Sequence, residues 1–406
     1  MAALACILKD LGNDVIGYDD DASYKYTMEG LNKRNIKIYS TNEHYIDKDT
    51  IVTYSKAFSP EHKEMKRCKE MGLKFIEYFE LMGELSKEFY TIGVSGTHGK
   101  TTVSSLLHSV LKEKANYFIG DGEGWASKNN RFMIMESCEY NKHFLHYFPS
   151  LAIITNIDRD HTECYETMDD LTNAFGEFGN RAKTVICLGD DKRIRSINFK
   201  NKAIYYGFNE NNDIYAKNII KNEKGNTFDV YYKGELFGNF HLNVPGDHNI
   251  TNALASIAAA HFVGVCPADC QKGLLHFTGT ERRFQKKGEK NGLQLFTTFL
   301  QLLPRIRRNG RTVYGRCSTV QPGAYSSRTP IPERSSSLMH SAKHSPMQMK
   351  SSSRISMPQG NPMTAPFPPP CLRTESQKQA NPQDMSEILM PSAPIWRKTA
   401  RQGIYF

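Results

Sequence analysis

The chain of 406 residues contains no run of about 18 apolar residues, which excludes a helical membrane span. Its first residues, MAALACILKDLG, hold no basic segment ahead of an apolar one, so no secretory signal is read. Nine cysteines are scattered without a repeating framework. The one close pair, Cys266 and Cys270, has no second pair and no neighbouring histidine cluster. Neither a zinc site nor a disulfide scaffold is therefore expected, and reduced thiols fit a cytoplasmic protein. Positive charge is also missing from where a folded nucleic-acid surface would need it. The whole chain is +9, but residues 293–406 hold 15 Lys and Arg against 4 Asp and Glu, leaving 37 against 39 for residues 1–292. The basic character belongs to the tail, and no nucleic-acid partner is expected for the rest.

What is present centres on Thr91–Leu107, TIGVSGTHGKTTVSSLL. Thr91–Val94 is a short β-branched run, hence a strand. Ser95–Gly99 is a loop of mostly small residues, and from Lys100 the spacing of Val103, Leu106 and Leu107 predicts a helix. Strand, glycine-rich loop and helix are the context of a phosphate-binding loop. Free backbone N–H groups at the helix start, aided by the helix dipole, hold phosphate oxygens. Lys100 would reach the β- and γ-phosphates, and the Thr101 hydroxyl would sit on Mg2+. The spacing departs from G-x-x-x-x-G-K-[ST], which needs a glycine where Val94 stands; the glycines present are Gly93, Gly96 and Gly99.

The length predicts two or three domains. Short strands alternate with helices: a helix over residues 1–12, strands at Asp14–Tyr18, Ile36–Tyr39 and Ile51–Tyr54, a helix over Glu61–Met71 and a strand at Leu73–Ile76. Alternation of this kind implies a parallel α/β sheet. Beyond the loop, Arg131–Glu136 and Leu151–Ile157 read as buried strands, the second followed by Asp158, Asp160 and His161. Ligands in open α/β sheets bind beyond the carboxyl ends of strands, which puts Glu136 and His161 at that edge. Asp169–Phe178 is predicted helical, and Thr184–Leu188 and Ala203–Tyr206 are predicted strands. Asp213–Phe240 alternates as antiparallel strands, Thr251–Val263 is an alanine-rich helix, and a short helix follows around Asp269–His276.

The runs Gly96–Thr102 (GTHGKTT), Glu136–Leu145 (ESCEYNKHFL), Ile153–His161 (IITNIDRDH), Pro245–Ala255 (PGDHNITNALA) and Arg282-Arg283-Phe284 stand in an order that resembles the Mur ligase family. The resemblance covers roughly residues 1–292. It implies an incomplete, Rossmann-like domain binding a UDP substrate over residues 1–88, and a central ATP-binding domain with a parallel sheet over 89–292. The implied reaction is ATP-dependent amide formation: a carboxylate attacks the γ-phosphate to give an acyl phosphate, and an amine then displaces phosphate. The loop and the Cys-Glu-Tyr context resemble the member that joins L-alanine to UDP-N-acetylmuramate in peptidoglycan precursor synthesis. By resemblance Gly96, Thr97, His98, Gly99, Lys100, Thr101 and Thr102 hold the ATP phosphates. Lys100, Glu136 and His161 serve catalysis, and Thr101, Glu136 and His161 hold Mg2+. His248, Asn249 and Asn252 lie on the adenine side, and Arg283, with Arg282 beside it, reaches the phosphates. Read as residues alone, His161 is a hydrogen-bonded loop histidine, the asparagines an N-cap and turn, and the arginines an exposed pair. The roles of Glu139 and Asn156 stay open.

Two departures from the family pattern stand out. The strand and glycine-rich turn that open the family's first domain are not found ahead of Met1-Ala2-Ala3-Leu4, so residues 1–88 are expected to lack a central strand. From Leu293 the texture turns to Ser, Pro, Arg and Gln, with 14 of the 18 prolines after residue 292. Residues 293–406 are expected to be disordered, and the abrupt change predicts translation out of frame, testable by reading the other frames of the coding DNA. A catalytically inactive nucleotide-binding fragment and a sister ligase such as folylpolyglutamate synthetase are the competing readings. The oligomeric state is not legible.

Overall fold

The computed structural model describes residues 1–279, apart from 22, 24–26, 42–43, 56–57, 121, 160–162 and 223–224, together with the backbone of 285–290 and 293–297. In chain order, α1 (Ala2–Asp10), β1 (Ile16–Tyr18), α2 (Met28–Lys33), β2 (Lys37–Tyr39), β3 (Ile51–Tyr54), α3 (Lys63–Glu70), β4 (Lys74–Glu77) and α4 (Tyr78–Lys87) precede the centre. Then come β5 (Tyr90–Ser95), α5 (Lys100–Leu111), β6 (Ala115–Phe118), β7 (Gly124–Trp125), β8 (Phe132–Glu136), β9 (Leu151–Ile154), α6 (Met168–Arg181), β10 (Thr184–Leu188), α7 (Lys192–Ser196) and β11 (Lys202–Gly207). Strands β12 (Ile214–Asn222), β13 (Gly225–Tyr232) and β14 (Glu235–Leu242) and helices α8 (Asp247–Phe262) and α9 (Pro267–Leu275) follow.

Ten strands form one sheet in the order β14-β13-β12-β11-β10-β9-β5-β8-β6-β7. Its centre, from β12 to β6, is parallel, and β13, β14 and β7 add antiparallel edges. Both faces of the centre are covered. Ile134, Ile153 and Ile186 point into a core with α5 and α8, and their neighbours Met133, Met135, Ala152, Ile154, Val185 and Cys187 point into a core with α4 and α6. Alternate residues thus bury on opposite faces, which is why these strands read as unbroken apolar runs. Helix α8 is sandwiched between the sheet and α5, so its alanines are buried nearly all round. It begins at Asp247 rather than Thr251, because the Pro245-Gly246 turn already lets Asn249 N–H reach the Gly246 carbonyl at 3.0 Å.

The single sheet expected for residues 1–88 is instead two parallel pairs, β1 with β2 and β3 with β4, with no described strand joining them. Helix α1 buries Ala3–Leu8 and lies on β7 of the large sheet. Arg34 fastens that contact. It makes two 2.8 Å bonds to the Asp10 carboxylate and a third, of 3.2 Å, to the Gly124 carbonyl. Leu293–Thr297, at the head of the stretch expected to lack order, forms a strand, β16, antiparallel to β15 (Gln285–Lys290). The remainder of the tail, 298–406, lies outside the described residues.

Candidate functional site

Strand β5 lies between β8 and β9, so three carboxyl ends meet where the chain's direction of travel across the sheet reverses. That is where open α/β sheets place a ligand. The loop after β5 needs its glycines. Gly96 has φ of +130°, and a Cβ there would lie 2.1 Å from Thr155 Oγ1. Gly99, at φ of +89°, starts α5, and a Cβ there would lie 2.6 Å from Asn252 Oδ1. Having no side chain, Gly99 supplies no cap to the first-turn N–H groups of α5, which with the helix dipole suits an anion there.

The segment after β9 clamps the loop. Asn156 accepts the Thr97 N–H on its carbonyl and the His98 N–H on its side-chain oxygen, both at 3.0 Å, and its amide returns a 2.8 Å bond to the His98 carbonyl. Thr155 Oγ1 donates to that same carbonyl, and Asp158 N–H donates to Thr97 Oγ1 at 2.9 Å. Behind the clamp, Asp191 caps α7 and takes the Ile157 N–H at 3.1 Å. The N–H groups of Thr97 and His98 are therefore engaged, and the Val103 N–H is taken by the Gly99 carbonyl at 2.8 Å, leaving those of Gly99 to Thr102 for an anion. Asn156, whose role the sequence left open, is the hub of this clamp.

Lys100 turns back across the loop. Its ammonium donates to the Gly96 carbonyl at 2.6 Å and to both Glu139 oxygens, at 3.0 and 2.9 Å. Burial alone would lower its pKa, but the Glu139 carboxylate, together with Cys138 and Glu136, holds it above its ordinary value. Desolvation pushes the neighbouring Cys138 thiol up to about 11, so it stays protonated at neutral pH. Thr101 Oγ1 donates to Glu136 Oε1 at 3.2 Å, and Gly120 N–H donates to Glu136 Oε2 at 2.7 Å. A hydroxyl beside a carboxylate is a hard-oxygen pair that fits Mg2+, an ion that keeps several waters and bridges to phosphate. Among the described residues no group of three His, Cys, Asp or Glu is placed to hold a metal without such help. Among the expected site residues, Gly96, Thr97, His98, Gly99, Lys100, Thr101 and Glu136 thus come together, with Thr102 in the first turn of α5.

On α8, Asn252 is buried against Gly99. Asn249 instead donates its amide to the Pro245 carbonyl at 2.7 Å, closing its own turn. The His248 ring lies over Gly246. His161, Arg282 and Arg283 fall outside the described residues. Glu139 is the residue the expected site lacked; its signal is a second carboxylate three residues after Glu136. A separate cavity of about 640 Å³ opens between α4, the 140–146 turn and α6. Two of its acids are already paired, Glu84 with Lys87 at 2.7 Å and Glu177 with Arg181 at 2.9 Å.

The sheet and the loop together define a phosphate-loop protein of the doubly wound α/β class. Two family models narrow this: "Mur ligase family, catalytic domain" matches residues 1–90 and "Mur ligase middle domain" matches residues 123–260. The chain belongs to the Mur ligase family. It is 40% identical over 290 residues to a UDP-N-acetylmuramate–L-alanine ligase of Pediococcus pentosaceus, covering 71% of this chain and 66% of that protein. The like-named protein of Lactiplantibacillus plantarum is 39% identical over 289 residues, covering 70% and 66%. The match thus spans just under two thirds of the length of these relatives. In fold it resembles the UDP-N-acetylmuramate-alanine ligase of Thermotoga maritima, with a TM-score of 0.65, 22% identity, and 78% of this chain and 76% of that one covered. The UDP-N-acetylmuramate:L-alanyl-gamma-D-glutamyl-meso-diaminopimelate ligase of Neisseria meningitides superposes with a TM-score of 0.60 at 23% identity, covering 70% of this chain and 96% of that one. Among the described residues no helix is long and apolar enough to cross a membrane.

Proposed function

We propose that this chain binds ATP at the Gly96–Thr102 loop and joins L-alanine to UDP-N-acetylmuramate through an acyl phosphate, in the cytoplasm. The observation that carries the reading is the convergence of Lys100, Thr101 and Glu136 beside an uncapped helix start at the carboxyl ends of β5 and β8. The N–H groups of Gly99 to Thr102 bind the phosphate chain. Lys100 neutralises charge on its β- and γ-phosphates, easing attack by a carboxylate on a phosphoryl group that is itself anionic. Thr101 and Glu136 hold Mg2+, which when bound withdraws charge from the phosphate oxygens. Asn252 sets the depth of the loop against α8, and Asn156 keeps the loop in shape before nucleotide arrives. His161, Arg283, His248 and Asn249 complete the assignment by family resemblance. Nucleotide binding without ligation is a second reading, favoured by the separation of β1–β2 from β3–β4 in the part that would hold the UDP substrate.

One assay tests both readings: phosphate release by the full chain with ATP, Mg2+, UDP-N-acetylmuramate and L-alanine. Alanine-dependent release supports ligation. ATP binding without release, abolished in Lys100→Ala, supports the second reading. The substitution also strands the buried Glu139 carboxylate, so it is expected to cost about 3 kcal/mol of stability, and folding of the variant is checked first. Binding of ATP by Lys100→Ala as tight as by the parent chain would overturn both.

A further inference from the structure

We infer that Glu139 is the resident counter-ion of Lys100, an internal anion that the β-phosphate of an incoming nucleotide must displace. The inference rests on the nucleotide reading of the loop and adds a cost to it. In this structure the donors of Lys100 are all engaged: Gly96 O at 2.6 Å, Thr97 O at 3.3 Å and the Glu139 carboxylate at 2.9 Å. The pair is nearly shut off from water, with the Glu139 side chain 1% exposed and that of Lys100 12% exposed. An ammonium held in this way can face a phosphate oxygen only by giving up a partner, and the Glu139 carboxylate is the partner that the like charge of a phosphate repels.

The segment carrying Glu139 is an irregular turn held by side-chain bonds. Two residues on, Asn141 and Lys142 both adopt left-handed backbone, with φ of 49° and 59°, a conformation that asparagine tolerates but lysine adopts at a cost. The neighbours are visible. Tyr165 Oη donates to the Glu139 carbonyl at 2.5 Å, Lys142 N–H donates to it at 2.9 Å, and Cys164 Sγ donates to Asn141 Oδ1 at 3.0 Å. Burial raises the Tyr165 pKa, so the phenol remains a donor. A strained turn held by a few side-chain bonds, ending in a carboxylate on the loop lysine, is a latch. Glu139 is a positioning residue in this scheme, acting on nucleotide through Lys100.

The test is calorimetric binding of ADP and AMP to the full chain and to Glu139→Gln. Removing the resident charge leaves Lys100 without its ionic partner in the free protein, so ADP binding is expected to tighten about tenfold, since each 1.4 kcal/mol is a factor of ten. The melting temperature of the nucleotide-free variant is expected to fall. AMP, which ends at the α-phosphate that Lys100 does not serve, is expected to bind equally to both proteins. A general change in the site would shift AMP as well. Should Glu139→Gln not fold, Tyr165→Phe carries the test: it keeps the charge, loosens the turn and is expected to tighten ADP by about threefold. Unchanged or weaker ADP binding in the folded variants, or an equal gain for AMP, overturns the latch. If ADP binding by the parent chain is still abolished by Lys100→Ala, the nucleotide reading survives that result. Failure of the parent chain to bind ADP overturns both.

Discussion

Residues 16–77 and residues 90–207 are both built of short parallel strands with helices between them, yet they are held together differently. The large sheet has helices on both faces and two extensive apolar cores, with its central ion pair confined to the loop. The two small strand pairs reach one of these cores through Val15, Leu31, Ile36 and Ile51, and add only a cluster of four buried apolar residues, Ile46, Val52, Cys68 and Leu73, and one of three, Tyr18, Phe58 and Met65. Buried charge accompanies them. Glu64, 2% exposed, takes Arg67 at 3.0 Å and lies 3.5 Å from His44, whose ring stacks on Tyr39 at 4.3 Å. The difference teaches that an alternating pattern specifies elements, while stability comes from layers. A two-stranded pair offers too little face for a helix to dry, so polar bonds with their desolvation cost take the place of packing.

Substitutions that cut into the two regions' cores are expected to have the largest effects. Phe178 stacks on Phe144 at 5.0 Å beneath the large sheet, and Phe178→Ala is expected to cost about 3–5 kcal/mol in the main unfolding transition. Leu73→Ala is expected to cost about 2 kcal/mol and to be felt locally, as faster amide exchange over residues 51–77 with little change in the main transition. An equal drop of the main transition in both variants would mean that the two regions unfold as one. A smaller effect tests their connection. Arg34→Ala leaves the half-buried Asp10 carboxylate without its partner and is expected to cost about 2 kcal/mol, with exchange rising in α1 and in β6–β7. The smallest effect is a pH dependence belonging to the central region. His261 packs edge-on against Tyr232 and Phe237, each at 5.0 Å, and burial holds its pKa below the ordinary 6.5. The unfolded chain then binds the proton more readily. Stability is full above about pH 6.5 and declines as pH falls toward the lowered value. His261→Phe is expected to flatten that decline in urea midpoints compared at about pH 7 and about pH 5.5.

The large strands, the loop and the Thr101–Glu136 pair were legible because each is announced by local pattern and set by strand ends. The Lys100–Glu139 pair was not, since Glu139 lies beyond the end of β8, at the head of an irregular turn whose course no periodicity sets. Helix α4 went unread although Glu77 and Glu80 form a capping box at its start, a signal of the kind sequence can carry. Strands β6 and β7, four and two residues long, were too short to show a period. Asn249 and Asn252 illustrate a different limit: the same residue type one turn apart closes a turn at one position and abuts the loop at the other, and only the position of α8 decides between them.

The two rims of the large sheet deserve a last consequence. One rim, β7, is only two residues long and lies beneath α1; the other, β14, carries α9, whose Gln271 amide donates to the Asn239 carbonyl at 2.5 Å. Open strand borders invite other chains to add themselves. Here α1 covers one border and α9 the other, and the brevity of β7 blunts its border further, so a second copy of the chain finds little free strand edge there on which to add itself.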